Sequence, residues 1–190
     1  MVMTAAGADR PAGSVAGVRV RKPRSLVLAS LFLSLTTIAC TSGDDSIFGV
    51  AEMDRPLPRL VGETLDGTRL DAAAHAAGEV LVINVWAHDC APCRTEQPEL
   101  VALASRYAAE GVRFLGINYD DDLDAAKAWV GEFDVPYPSL FDPSGRTAAQ
   151  LGYPALPDTY VVDRQGTIRW VVFGATDGPQ LAGLIDDVLA

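Results

Sequence analysis

Val80-Leu81-Val82-Ile83-Asn84-Val85-Trp86-Ala87-His88-Asp89-Cys90-Ala91-Pro92-Cys93 is the stretch on which the fold turns. Residues 80–86 are apolar except for Asn84, the pattern of a strand buried on both faces. Beyond the cysteines, Leu100, Leu103, Ala104 and Tyr107 keep helical spacing and Gly111 supplies a stop, which predicts a helix from Pro92 to about Glu110. A strand, a short loop and a helix place Cys90 and Cys93 on the first helical turn. Unpaired backbone N–H groups and a partial positive charge favour a thiolate there. A neighbouring cysteine can then resolve the mixed disulfide that the thiolate forms. Pro92 fits because a first-turn residue needs no N–H partner. A zinc half-site or a purely structural disulfide would use the same spacing. Structural zinc needs four ligands. Besides this pair the chain has only Cys40, His75 and His88, and no second C-x-x-C. The expectation is no metal and no cofactor.

Working outward, strands alternate with helices. Asp66-Gly67 is a turn dipeptide between Leu60-Val61 and Thr68-Arg69-Leu70, so a hairpin is expected. A helical turn follows over Asp71–Ala77. Val112–Asn118 reads as a second buried strand, Leu123–Phe133 as a helix, and Ser139–Phe141 as a short strand. Thr159–Asp163 and Thr167–Phe173 are strands joined across Arg164-Gln165-Gly166, and Pro179–Leu189 is an amphipathic helix. The expected order, β-β-(α)-β-α-β-α-β-β-α, is an α/β fold with a central mixed sheet flanked by helices and a leading hairpin.

Charge divides the chain. Its 190 residues carry a net −10, but residues 1–39 carry +4, leaving −14 for the rest. An acidic body repels phosphate backbones, so no nucleic-acid partner is expected. Arg19, Arg21, Lys22 and Arg24 precede Ser25–Ala39, an uncharged and mostly apolar run. Fifteen such residues are short for a membrane span but suit a secretory signal. Thr37-Ile38-Ala39-Cys40 resembles the lipobox of bacterial lipoproteins, although Thr37 stands where that motif usually has Leu. The resemblance implies cleavage before Cys40 and acylation of Cys40. An uncleaved signal anchor is the other reading, and both place the acidic body outside the cytoplasm. The expected organisation is a signal peptide at 1–39, lipidated Cys40 and a polar tether through 56, and one folded domain at 57–190.

Asn84–Cys93, with Pro98 behind it and Leu156-Pro157-Asp158-Thr159-Tyr160-Val161-Val162-Asp163 near the end, resembles the thioredoxin fold. In detail it resembles the TlpA/ResA-like branch of membrane-tethered thiol–disulfide oxidoreductases, over about Leu57–Ala190. That resemblance implies that Cys90 attacks, Cys93 resolves, and Pro157 is a cis-proline facing them beside Leu156 as a substrate-binding edge. It implies that Glu96 is the acid tuning the cysteines, three residues after Cys93 and so nearly one helical turn on. Asn84 stands where ordinary thioredoxins carry a buried aspartate. Trp86 is a packing residue beside the site or a substrate contact. The implied partners are cysteine-containing exported proteins, as in reductive cytochrome c maturation, and a membrane or extracytoplasmic redox partner. No haem-specific signature is present.

His88-Asp89 departs from the aromatic-containing pair that many relatives carry before the first cysteine. Asp89 would raise the Cys90 thiol and a protonated His88 would oppose it. The acid run Asp120-Asp121-Asp122 with Asp124 fits a helix start better than a calcium loop, whose spacing it lacks. Three other activities fit less well. A peroxiredoxin-type peroxidase needs a P-x-x-x-T-x-x-C motif, absent around Cys90. A copper chaperone on this fold needs C-x-x-x-C and a distal histidine, and none follows His88. A non-catalytic binding lipoprotein would not need the intact pair.

Overall fold

The computed structural model describes residues 49–152 and 156–190. The expected signal segment and Cys40 lie outside them. The strands are β1 (Gly49–Pro56), β2 (Val61–Glu63), β3 (Arg69–Asp71), β4 (Val80–Trp86), β5 (Val112–Tyr119), β6 (Ser139–Asp142), β7 (Asp158–Val162) and β8 (Thr167–Phe173). The helices are α1 (Ala72–Ala76), α2 (Ala91–Tyr107), α3 (Leu123–Glu132) and α4 (Gly178–Leu189). A six-stranded mixed sheet runs β1-β8-β7-β4-β5-β6, and β2-β3 forms the separate hairpin. β4, β5 and β6 are parallel, while β7, β8 and β1 alternate antiparallel.

β4 is buried along its whole length because both faces are covered. Leu81, Ile83 and Val85 face one core with Leu115, Ile117, Tyr160 and Leu151. Val80 and Val82 face the other, with Leu100, Leu103 and Tyr107 of α2 and Leu181 and Ile185 of α4. Burying each such side chain contributes about 1.5–3 kcal/mol relative to leaving it exposed. The period of two puts Asn84 and Trp86 on the α2 side as well, and so beneath the cysteine pair. Parallel register sets Trp86 beside Asn118, so the loops after β4 and β5 leave the sheet together. Gly116 lies beneath Trp86: a Cβ there would come 2.7 Å from the indole Nε1, so only glycine lets the ring lie flat on β5.

Two boundaries differ from expectation. The predicted tether ends early, because Gly49–Pro56 is not a linker but an edge strand paired with β8. Its inward positions Ala51, Met53 and Arg55 alternate with exposed Glu52 and Asp54, and Pro56 is tolerated at the end of an edge strand. The folded part therefore begins at least eight residues before Leu57. The helix predicted to reach Glu110 stops at Tyr107 and continues as a 3-10 turn, Ala108–Glu110, closed by left-handed Gly111 at φ 81°.

Candidate active site

Cys90 and Cys93 are joined as a disulfide with Cα atoms 5.3 Å apart. Cys90 is the N-cap of α2, and its Sγ accepts from the Cys93 N–H at 3.2 Å. The same amide would hold a Cys90 thiolate after reduction. Cys90 is half-buried, whereas Cys93 is 1% exposed, so one sulfur is open to a second molecule and the other is not.

Glu96 lies on the buried side of α2, 2% exposed. Its Oε1 accepts from Asn84 Nδ2 at 2.8 Å and its Oε2 from the Thr176 backbone N–H at 2.9 Å. Asn84 also donates to Thr159 Oγ1 at 3.1 Å. β4, α2, β7 and the loop before α4 thus converge on one carboxylate. Burial pushes the Glu96 carboxyl up to about 7; the bonds from Thr176 and Asn84 oppose this, and nearby Asp158 adds a smaller upward push. Proton exchange near neutrality is therefore within its reach.

Trp86 is buried, stacked on Trp129 with ring centroids 5.3 Å apart, and donates from Nε1 to Ser139 Oγ at 3.3 Å. Of its two readings this geometry fits packing: the ring supports the pair from within and offers no surface. Arg94, one residue past Cys93, covers Trp129 and Phe133 at 4.9 and 5.1 Å from their centroids and pairs with Glu132. The Leu156–Pro157 peptide is cis. Leu156 packs on the same apolar cluster as Cys90 and Cys93, so the two ends of the motif set meet across about 65 residues of chain. The Pro157 carbonyl accepts from Gly174 N–H at 2.9 Å, which ties the start of β7 to the end of β8.

Other contributors were not singled out from the sequence. The Thr176 amide is a backbone group and carries no residue signal. Asp121 was visible only as one acid at a helix start, yet it bonds His88, 33 residues away. Asp122 is the residue that caps α3, accepting from Asp124 and Ala125 N–H.

A disulfide at a helix N-terminus, on a mixed sheet flanked by helices and packed with the residue before a cis-proline, defines a thiol–disulfide oxidoreductase on a thioredoxin-like fold. Residues 53–171 match the AhpC/TSA family, and the chain belongs to that family. It is 34% identical over 148 residues to the thiol:disulfide interchange protein DsbE of Yersinia pestis, covering 76% of this chain and 77% of that one. The DsbE of Pseudomonas aeruginosa is 36% identical over 152 residues, covering 77% and 82%. Among solved structures, a DsbF homologue from Corynebacterium diphtheriae superposes with a TM-score of 0.68 at 29% identity, covering 73% of this chain and 92% of that one. A secreted thiol-disulfide isomerase from Corynebacterium glutamicum superposes with a TM-score of 0.70 at 27% identity, covering 78% and 95%.

Proposed function

We propose that the protein is a TlpA/ResA-like oxidoreductase, held at the outer face of the cytoplasmic membrane by a lipid on Cys40, that exchanges disulfides with cysteine-containing exported proteins. The observation that carries this reading is the asymmetry of the pair: an accessible Cys90 bonded to a buried Cys93, with the buried Glu96 three residues further along the same helix. In the reduced protein the Cys90 thiolate attacks a substrate disulfide. A Cys90–substrate bond forms, the substrate S–S bond breaks, and the departing sulfur takes a proton from water. Cys93 then gives its proton to Glu96 and attacks Cys90 Sγ. The Cys90–Cys93 bond closes, the second substrate sulfur leaves, and two electrons have passed to the substrate. Leu156 and cis-Pro157 present the edge along which the substrate polypeptide lies. Run backwards, the same steps oxidise a dithiol, and the potential of the pair against its partner pool sets the direction.

Family membership also invites a peroxidase reading, which the residues before Cys90 do not support, since Ile83 and Ala87 stand where that motif has Pro and Thr. The deciding experiment is a paired assay of insulin-disulfide reduction with dithiothreitol and of hydrogen-peroxide consumption with the same thiol. Insulin reduction well above the thiol-only rate, without peroxide turnover, is expected; the opposite outcome overturns the proposal. The anchor is tested separately. Cys40→Ser should move the protein from the membrane to the soluble fraction, and a variant that stays in the membrane removes the lipid from the proposal. Among the described residues no helix is long and apolar enough to cross a membrane.

A further inference from the structure

The loops after β4 and β5 bring together two features that disulfide exchange alone does not require: His88 before the cysteine pair and the acid run before α3. The Asp121 carboxylate is 1% exposed and takes four donors. Its Oδ2 accepts from the His88 backbone N–H at 2.8 Å and from Asn118 Nδ2 at 2.6 Å. Its Oδ1 accepts from the Asp122 N–H at 2.8 Å and pairs with His88 Nδ1. Burial alone would raise this carboxyl, but the bonds from Asn118, His88 and Asp122 outweigh it and hold Asp121 below its ordinary value. An ionised oxygen has no proton to give, so His88 Nδ1 must carry the hydrogen. The ring is 42% exposed and Nε2 has no partner among the described residues, which leaves that nitrogen to exchange protons with solvent.

His88 also stands two residues before Cys90, in the same turn. Residues 87–90 form a turn closed by the Cys90 N–H on the Ala87 carbonyl at 3.3 Å. Residues two apart have Cα atoms at most about 7.6 Å from each other, within the roughly 8 Å over which charge acts at physiological salt. The other charged groups on the surrounding elements are Asp89 in the turn, Asp120, Asp122 and Asp124 around the start of α3, exposed Lys127 on α3, and Arg94 on α2. Arg94 is committed to Glu132 and to the rings of Trp129 and Phe133. The turn is therefore acidic, and the group in it able to carry a positive charge is the His88 ring.

We infer that His88 and Asp121 are positioning residues for the exchange reaction: Asp121 holds the imidazole beside Cys90, and the protonated ring offsets the acidic turn and stabilises the Cys90 thiolate. This rests on Cys90 being the attacking cysteine. It adds, on the exposed side of the site, a charge distinct from that of Glu96 on the buried side.

The test is alkylation of the reduced full chain with iodoacetamide across pH, with the labelled cysteine mapped by mass. His88→Ala should raise the pH at which Cys90 is labelled by about one pH unit, because it removes the cation and leaves Asp121 unopposed. Adding Asp121→Asn to His88→Ala should bring the profile part of the way back, because the unopposed acid is then gone. A merely structural role predicts the reverse, with the double variant no better than the single. Nitrogen NMR of the wild-type ring, which needs no variant to fold, should show Nδ1 protonated. A His88→Ala profile that superimposes on wild type, a double variant shifted further from wild type, or an unprotonated Nδ1 each overturns the inference while leaving Cys90 as the attacking thiol. First labelling at Cys93 overturns the assignment of Cys90 itself.

Discussion

Cys90→Ser should reduce exchange to the uncatalysed rate, whereas Cys93→Ser should accumulate a covalent complex with its substrate. The two cysteines differ in position, and the difference dictates the two outcomes. Cys90 caps α2 at the accessible end, so serine there replaces a stabilised thiolate by a hydroxyl that stays protonated at neutral pH. Cys93 is buried, so serine there leaves attack intact and removes only the second step, and the mixed disulfide has no intramolecular route out. Both variants lose the same short covalent loop, worth about 2 kcal/mol in the chain-entropy picture, so their stabilities should fall together while their chemistry diverges. Non-reducing electrophoresis with a disulfide-bonded substrate checks this. A covalent adduct with Cys90→Ser and none with Cys93→Ser would exchange the two roles.

The legible parts of the molecule were those written in side-chain pattern. β4 could be read because a strand covered on both faces must be apolar throughout, and α2 because its buried positions recur at helical spacing. Cys90 and Cys93 could be read from spacing as a pair at a helix start, where they are joined, while Glu96 came from resemblance, with its place nearly one turn beyond Cys93 only compatible. Pro157 was a different matter: its cis peptide came from resemblance, since nothing in local spacing fixes an isomer. β1 was missed because an edge strand has one partner and turns charged residues outward, so Glu52 and Asp54 look like linker residues. The His88–Asp121 contact depends on the parallel register of β4 and β5, a long-range fact that a single sequence does not display. The Thr176 amide on Glu96 is invisible for a simpler reason, because every residue but proline has one.

Glu96→Gln should make the oxidised protein more stable above neutral pH, and should make thiolate appear at lower pH in the reduced protein. In the unfolded chain the carboxyl returns to its ordinary value of 4.5, while in the folded protein burial raises it to about 7. Below pH 4.5 the acid is protonated in both states and costs nothing. As pH rises towards 7 the unfolded chain ionises first, so folding loses stability, and above 7 the loss is complete. At 1.36 kcal/mol per pH unit, that interval corresponds to about 3 kcal/mol. Glutamine carries no charge and removes the slope. Its amide can also be accommodated: Asn84 Oδ1 is buried without a hydrogen-bond partner, so a flipped Asn84 can accept from the new amide while the Thr159 hydroxyl donates in its place. In catalysis the same substitution removes the acceptor for the Cys93 proton and the negative charge that disfavours a nearby thiolate. The rate at high pH, where solvent removes the proton, should change little. Urea unfolding of both oxidised proteins between pH 4 and 8, with thiolate absorbance of both reduced forms over the same range, separates the effects. Stability curves that stay parallel would show that Glu96 is not held at a raised value by its burial. Superimposable thiolate titrations would remove it from the proton path.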